Sequence, residues 1–235
     1  MCGGQRSLST PASVKVDLEP QEKAQTLETA ESLLIPLANL VGAGRHSAAS
    51  LARARHLLKC FPSVRELVMA SSEELRRLGR LSDRQALLLQ SAFLVGHHLA
   101  SAPLSPGQPF SNSRDLFERY RGRFFSAQKE YFYSLHLNSK NRLIREVLVS
   151  VGSLTCSVVH PREVFSQAVR DSTAALIFLH NHPSGDPQPS REDRECTLRL
   201  LRAGKIIGIR VLDHVILGYG DYFSFADAGL LQDTE

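Results

Sequence analysis

A proline-rich segment divides this sequence into two parts with different hydrophobic periods. Residues 101–109 contain Pro103, Pro106 and Pro109 together with Gly107. Proline lacks a backbone N–H and has a fixed φ angle, so a helix cannot continue through such a segment. Residues 101–109 are therefore predicted to be an extended linker, and the chain on each side of it must bury its own apolar residues.

Before the linker, apolar residues recur every three or four positions, as they do on one face of a helix. Residues 1–22 are polar and show no period, which predicts a disordered tail. A small all-helical domain is expected over residues 23–100. Four helical runs are predicted in it, from about residue 24, over 47–59, over 71–75 and over 83–99.

After the linker the period becomes that of strands. Residues 130–137 alternate with aromatic side chains, and residues 174–179 form a continuous apolar run typical of a strand buried on both faces. The expected fold class of residues 110–235 is therefore α/β or α+β, a mixed sheet with flanking helices. The other predicted elements are a helix over 115–120 capped by Ser113, strands over 142–151 and 154–159, helices over 161–170 and 190–203, and two or three strands within 208–225.

Composition narrows the class of protein. The formal net charge is +4 and the isoelectric point is near 9.0, which is compatible with a nucleic-acid partner but does not require one. The four cysteines form no C-x-x-C pair, which favours a reducing compartment. The sequence starts without an apolar leader and has no run of about 18 apolar residues. It is therefore expected to be cytoplasmic, with no membrane partner.

The chemistry is concentrated in His180, His182, Ser190 and Asp193. The two histidines follow the predicted buried strand, where residues i and i+2 point to the same side. A loop with three prolines, 183–189, then returns the chain to a predicted helix whose first turn carries Ser190 and Asp193. Two imidazoles and one carboxylate are typical of a catalytic zinc site that keeps a fourth position for water. Zn²⁺ is therefore the predicted metal, with His180, His182 and Asp193 as its ligands.

Simpler interpretations exist for each part of this set. Ser190 and Asp193, three residues apart ahead of an apolar run, also form a helix capping box, which has no catalytic meaning. A His-x-His pair alone is common. The joint pattern is more specific, because strand ends in open α/β sheets tend to hold ligands and a stiff loop returns the carboxylate there. Capping and a role beside the metal can coexist at Ser190.

The whole set resembles a known family. His180-x-His182-Pro183, followed by Ser190 and Asp193, matches the signature of JAMM/MPN⁺ metalloproteases. More narrowly, HNHPSGDPQPSREDRECT, VVHPREVFSQAV, LNSKNRLI and VLDHVILG resemble the RadC family, strongly over residues 110–233 and weakly over 25–100. The resemblance implies an MPN/JAMM-type domain over 110–235 and zinc bound by His180, His182 and Asp193. It also implies that the Ser190 hydroxyl stabilises the tetrahedral intermediate, and that a separate glutamate acts through the zinc-bound water.

Two glutamates compete for that last role. The JAMM pattern places the general base at the start of the strand before the histidines, and Glu130 occupies that place. Glu163 is the main alternative, although its place in a first helical turn is already explained by the helix dipole. Glu146, on the returning strand, is weaker than both. Glu130 is the predicted catalytic base, and Glu163 stays open.

Two further residues, Asp213 and His214, allow two interpretations. They could orient a ligand imidazole from behind, or they could be a satisfied core pair. Asn181 and Ser184, beside the histidines, could line a substrate channel, although a tight loop needs such residues in any case.

The helical part raises the question of nucleic acid. Residues 78–86 lie where RadC-like proteins carry a helix-hairpin-helix turn, but Leu81 replaces the second glycine and Asp83 adds a negative charge. Four nearby arginines make this region basic, which a solvated helix face explains equally well. Nucleic-acid binding through residues 23–100 is therefore an open expectation.

Three classes of function remain. The leading one is a zinc-dependent hydrolase of metallopeptidase type, cutting an amide or isopeptide bond in a peptide or protein. The second is a metal-dependent nuclease or another nucleic-acid-binding protein associated with DNA repair, although nucleases named for His-Asn-His spread those residues over a longer unit. The third is a non-catalytic binding module with a structural metal. A zinc-bound water in an open fourth position would exclude the third.

Overall fold

The computed structural model describes residues 32–45, 47–61, 63–152 and 159–231. The chain divides into two compact units, one ending at Gln90 and the other beginning at Ser91. The predicted tail over 1–22 and residues 154–158 of a predicted strand lie outside the described residues. The predicted limits of the tail, the helical domain and the linker stay predictions.

The helical unit begins with α1 over residues 32–41. Ser47, Ser63 and Ser71 cap the next three helices by accepting a hydrogen bond from the backbone N–H three residues on. One of these helices, α3, was not predicted, because six residues are too few to show a period. The helices that follow α1 are α2 (Ala48–Cys60), α3 (Val64–Met69), α4 (Ser72–Arg77) and α5 (Asp83–Ala100). The division between the two units, after Gln90, falls within α5.

The turn between α4 and α5 is shaped by packing. A Cβ on Gly79 would lie 2.5 Å from Leu57 Cδ2 and 2.6 Å from the Leu75 carbonyl oxygen, so no side chain fits there. Arg80 follows with a φ of 53°. Arg76 pairs with Asp83 at 2.7 Å. Gly79, the one glycine left in the helix-hairpin-helix-like segment 78–86, is thus required by the packing of the helical unit itself.

The second unit contains a five-stranded sheet in the order β2-β1-β3-β4-β5. β1 runs antiparallel to β2 and β3, β3 runs parallel to β4, and β5 is antiparallel to β4. This mixed sheet with flanking helices confirms the predicted fold class. Its elements are α6 (Ser113–Phe124), β1 (Tyr131–Leu137), β2 (Leu143–Val151), α7 (Pro161–Arg170), β3 (Ala175–Asn181), α8 (Arg191–Ile207), β4 (Arg210–Leu217) and β5 (Tyr222–Ser224).

Two apolar cores cover the two faces of this sheet. On one face α6 packs through Phe117 and Tyr120 against Leu135 and Leu179. On the other face α7 and α8 pack against Phe132 and Phe178. Every residue of β3 is buried, as predicted for a strand covered on both faces. The last residues of β3 therefore lie at the end of a central strand that is held in place by packing on both faces of the sheet.

Two details differ from the sequence-based predictions. The cap of α6 is Asn112, whose Oδ1 accepts from Asp115 N at 2.8 Å, and not Ser113. Ser113 donates instead to Asp213 Oδ2 at 2.8 Å in the interior, a long-range contact that no local pattern indicates. Helix α8 also runs past the predicted end at residue 203, to Ile207, where Gly208 takes a φ of 82° and ends it.

The proline-rich segment lies along the start of β2. Gly107 N donates to Leu143 O at 2.8 Å, and Leu143 N donates to Gln108 O at 2.9 Å. The segment is extended there, as its prolines require. No described helix is both long and apolar enough to cross a membrane.

Candidate metal centre

The end of β3 and the start of α8 bring three ligand groups together. His180 is the second-last residue of the buried strand β3, and His182 is the first residue after that strand. Asp193 lies in the first turn of α8. His180 and Asp193 are 0% and 3% exposed at their side chains, and His182 is 13% exposed. Among the described residues these three form the one group of acidic, histidine or cysteine side chains arranged to hold a metal ion. The residues proposed from sequence as ligands are therefore adjacent in space.

The spacing of their donor atoms fits a tetrahedral metal. His180 Nε2 lies 3.1 Å from His182 Nε2 and 3.2 Å from Asp193 Oδ1, and His182 Nε2 lies 3.3 Å from Asp193 Oδ2. Two atoms that are each about 2.0–2.1 Å from a tetrahedral zinc ion are roughly 3.3–3.4 Å apart. The two imidazole nitrogens and the Asp193 carboxylate are thus close to the separation that one shared cation requires.

The proton on His182 is placed by the loop. His182 Nδ1 lies 2.7 Å from the Asp186 carbonyl oxygen, which can only accept, so this nitrogen carries the proton. In the neutral ring Nε2 is then unprotonated, and its lone pair faces His180 and Asp193. A lone pair placed beside a carboxylate is repelled unless a cation or a proton lies between them. The chemistry of the donor set therefore favours a bound cation.

The directions in which the pKa values of Asp193, His180 and His182 are shifted agree with a site for a cation. Burial, the largest single effect, would raise the pKa of Asp193, but the two neighbouring imidazoles and the hydrogen bond from Ser190 together outweigh it and hold that pKa far below the usual range. Burial lowers the pKa of His180. At His182 burial also acts to lower the pKa, but the effects of Asp193, the Asp186 carbonyl and the Glu130 charge together outweigh it and raise the pKa. The two rings respond differently because His180 is enclosed and His182 is at the rim. The site thus stabilises one positive charge.

Ser190 holds the carboxylate in place. Its backbone N–H and its hydroxyl donate to Asp193 Oδ2 at 2.8 and 2.6 Å, and Asp193 N donates back to Ser190 Oγ at 3.1 Å. This is a complete capping box. Because Oδ2 is engaged by Ser190, Oδ1 is turned toward His180. Capping and orientation of a metal ligand coexist at this residue.

Glu130 lies at the same end of the sheet, directly before β1. Phe132 pairs with His180 in the antiparallel ladder, which brings the start of β1 beside the histidines. The Glu130 carboxylate raises the pKa of His180 and of His182, after the larger effects of burial and of Asp193. The alternatives lie elsewhere: Glu163 is exposed in the first turn of α7. Glu146 accepts from Tyr120 and Arg123 against α6.

Asn181 fixes the backbone on both sides of Glu130. Its Oδ1 accepts from Tyr131 N at 2.9 Å, and its Nδ2 donates to Lys129 O at 3.0 Å. Gly152 N donates to the Glu130 carbonyl at 2.9 Å. Asn181 is buried, and both hydrogen-bonding ends of its amide are used. From sequence, Asn181 was interpreted as lining a substrate channel or as a residue that a tight loop needs. Its hydrogen bonds with residues 129 and 131 arise from tertiary structure, which no local pattern indicates.

The two residues Asp213 and His214 have separate roles. His214 Nε2 lies 2.8 Å from His180 Nδ1, and its Nδ1 lies 2.6 Å from Thr197 Oγ1. Asp213 belongs to the opposite face of β4, where it accepts from Ser113 and Ser224. His214 is therefore the residue behind the ligand, and the strand alternation of β4 was the signal that separates it from Asp213.

The loop between β3 and α8 is held by a second missed residue, Tyr219. Its hydroxyl donates to the Pro183 carbonyl oxygen. A Cβ on Gly185, which has a φ of 90°, would lie 2.3 Å from the Tyr219 ring. The ring thus covers the loop that supplies the Asp186 carbonyl to His182.

Comparison with known proteins identifies the family of the chain. Residues 110–230 match the family model described as a RadC-like JAB domain. The UPF0758 protein of Syntrophotalea carbinolica is 42% identical, covering 92% of this chain and 96% of its own. That of Trichlorobacter lovleyi is 45% identical, with 92% and 95% covered. That of Methanosarcina mazei is 37% identical, with 72% and 74% covered. The chain belongs to the RadC family, and its JAB domain is a metal-dependent, hydrolase-like module.

Proposed function

We propose that this protein is a zinc-dependent hydrolase of the metallopeptidase type, acting on an amide or isopeptide bond in a peptide or protein. The observation that carries the proposal is the convergence of His180 Nε2, His182 Nε2 and the Asp193 carboxylate within 3.1–3.3 Å of one another. Three protein ligands leave a fourth tetrahedral position for water, as catalytic zinc sites do.

The ligand types favour zinc. Hard cations such as Mg²⁺ and Ca²⁺ prefer shells made of oxygen, whereas imidazole suits zinc and related transition metals. Two of the three ligands here are imidazoles. The same preference weighs against a nuclease, since phosphate-activating sites are rich in carboxylates.

When bound, zinc would polarise the scissile carbonyl and lower the pKa of a coordinated water to roughly 7. Glu130 would accept a proton from the attacking water and deliver it to the leaving amine nitrogen. The backbone bonds around Glu130 hold its carboxylate at the sheet edge while it does so.

Ser190 would stabilise negative charge on the substrate oxygen. Its hydroxyl proton points to Asp193 Oδ2 at 2.6 Å in the absence of substrate. Donation to an oxyanion requires this proton to turn away from the carboxylate, while Ser190 N continues to hold Oδ2. A Ser190→Ala variant would therefore lose hydrolysis and keep zinc.

Metal content measured on variants tests the site. The wild-type chain would be compared with His180→Ala, His182→Ala and Asp193→Ala, and with His98→Ala, an exposed histidine, as the control. One zinc per chain in the wild type and the control, lost from each of the three variants, supports the site. Stoichiometric zinc in all three variants overturns it.

Hydrolysis is tested separately with a peptide library. Cleavage that requires zinc and Glu130 supports a peptidase. Zinc bound at the site together with turnover of no amide or isopeptide substrate would favour the binding module with a structural metal.

A further inference from the structure

We infer that Thr197 and His214 are positioning residues that fix the tautomer of His180, so that its Nε2 offers a lone pair to the metal. The inference rests on the proposed metal site and goes beyond its ligands. It follows from the direction of three consecutive hydrogen bonds that lead from the backbone of α8 to the His180 ring.

The first bond is set by the Asp193 carbonyl. Thr197 Oγ1 lies 2.6 Å from this oxygen, which has no proton to give. The Thr197 hydroxyl must therefore donate to it, since two acceptor oxygens at that distance would repel each other. The single proton of Thr197 is thus used, and its lone pairs are left to accept.

The second bond follows from the first. His214 Nδ1 lies 2.6 Å from Thr197 Oγ1, so the imidazole must donate and Nδ1 carries its proton. His214 is fully buried, with the rings of Phe132, Phe178 and Phe225 within 6.1 Å. Such surroundings oppose a net charge. The neutral ring has one proton, and His214 Nε2 is consequently an acceptor.

The third bond places the proton of His180. His180 Nδ1 lies 2.8 Å from His214 Nε2, and with an acceptor there Nδ1 must be the donor. His180 Nε2 is left as a lone pair directed at His182 and Asp193. His182 has the same tautomer because its Nδ1 donates directly to the Asp186 carbonyl oxygen. Both rings are thus held ready to coordinate before the metal arrives.

This arrangement predicts a contribution to metal affinity. Outer partners that orient a ligand histidine typically change metal affinity by about 10–100-fold when removed. Removing only the Thr197 hydroxyl would let His214 move its proton to Nε2. That proton would then oppose the one on His180 Nδ1, and His180 would shift in part to the Nε2–H form, which cannot coordinate.

The test compares Thr197→Val, which removes the hydroxyl at nearly constant volume, with Thr197→Ser, which keeps it. The ¹⁵N chemical shifts of the histidine rings in the metal-free protein, at slightly alkaline pH, report which nitrogen carries each proton. Zinc affinity is measured by competition with a chelator. A thermal melt of each variant reports folding independently of both.

In the wild type we expect protons on Nδ1 of both His180 and His214. Thr197→Val should shift the His180 signal toward the Nε2–H form and lower zinc affinity about 10–100-fold, while Thr197→Ser behaves as the wild type. A wild-type His180 with its proton on Nε2, or a folded Thr197→Val chain with unchanged tautomers and affinity, overturns the inference. A wild type that shows these tautomers but binds no zinc defeats the proposed function and leaves the hydrogen-bond order standing.

Discussion

Substitution of Asn181 by alanine should separate the placement of Glu130 from the stability of the fold. The variant loses two buried hydrogen bonds, one that Asn181 accepts from Tyr131 N at 2.9 Å and one that it donates to Lys129 O at 3.0 Å. Each neutral bond contributes about 0.5–1.5 kcal/mol net, so the free energy of unfolding should fall by roughly 1–3 kcal/mol. The measurement is urea denaturation of the metal-free protein.

Asn138 provides a matched control. Its Oδ1 also accepts two backbone hydrogen bonds, from Lys140 N at 2.9 Å and Arg142 N at 3.1 Å, in the turn at the far end of the β1–β2 hairpin. Asn138→Ala should cost a similar or smaller free energy of unfolding. It should leave hydrolysis unchanged, because nothing near the metal centre moves.

The two variants should differ in catalysis. Asn181 lies between the ligand histidines in sequence but donates to none of them, so both variants should retain zinc. With its flanking backbone released, Glu130 should move away from the attacking water, and a misplacement of about 1 Å can lower the rate about 100-fold. If Asn181→Ala cleaves peptide as fast as Asn138→Ala, Asn181 does not position Glu130 and this reasoning is refuted.

Three other outcomes follow from the structure. Glu130→Gln should abolish peptide hydrolysis while zinc stays bound, with Glu163→Gln unaffected; the reverse result would transfer the role to Glu163. Burial holds the pKa of His136 below 6.5, against the raising effect of Asp171. As pH falls, the unfolded chain therefore takes up a proton at this histidine before the folded chain does. The free energy of unfolding should be constant in this respect above pH 6.5 and should decline below it by up to about 1.4 kcal/mol per pH unit. Urea midpoints that fall as steeply in His136→Gln as in the wild type would contradict this. Duplex DNA titrated at two salt concentrations tests the arginines near Gly79, and binding without salt dependence, or none, removes residues 23–100 as a nucleic-acid site.

Local patterns were sufficient for most of the secondary structure. Serine caps and acidic first turns marked helices such as α4, and the alternation of residues 130–137 marked β1. The unbroken apolar run before His180 identified β3 as a strand buried on both faces. Such features are encoded within a few residues, so a single sequence displays them.

The partners of the site were beyond the reach of those patterns. His214 meets His180 because β3 and β4 pair in parallel across 34 residues, and Asn181 meets residues 129 and 131 through pairing of β1 with β3. Ser113 was assigned a capping role from its position just before a predicted helix. Its actual bond, to Asp213, spans 100 residues and leaves no local signal. A sequence motif names the atoms that bind a metal, whereas the groups that orient them depend on which strands become neighbours.

A zinc-loaded crystal, measured at the zinc absorption edge, tests the central claim most directly. We expect one anomalous peak per chain at about 2.0–2.2 Å from His180 Nε2, His182 Nε2 and an Asp193 carboxylate oxygen, with water in the fourth position. A peak at other residues, or one closed by a fourth protein ligand, would contradict an open catalytic zinc site.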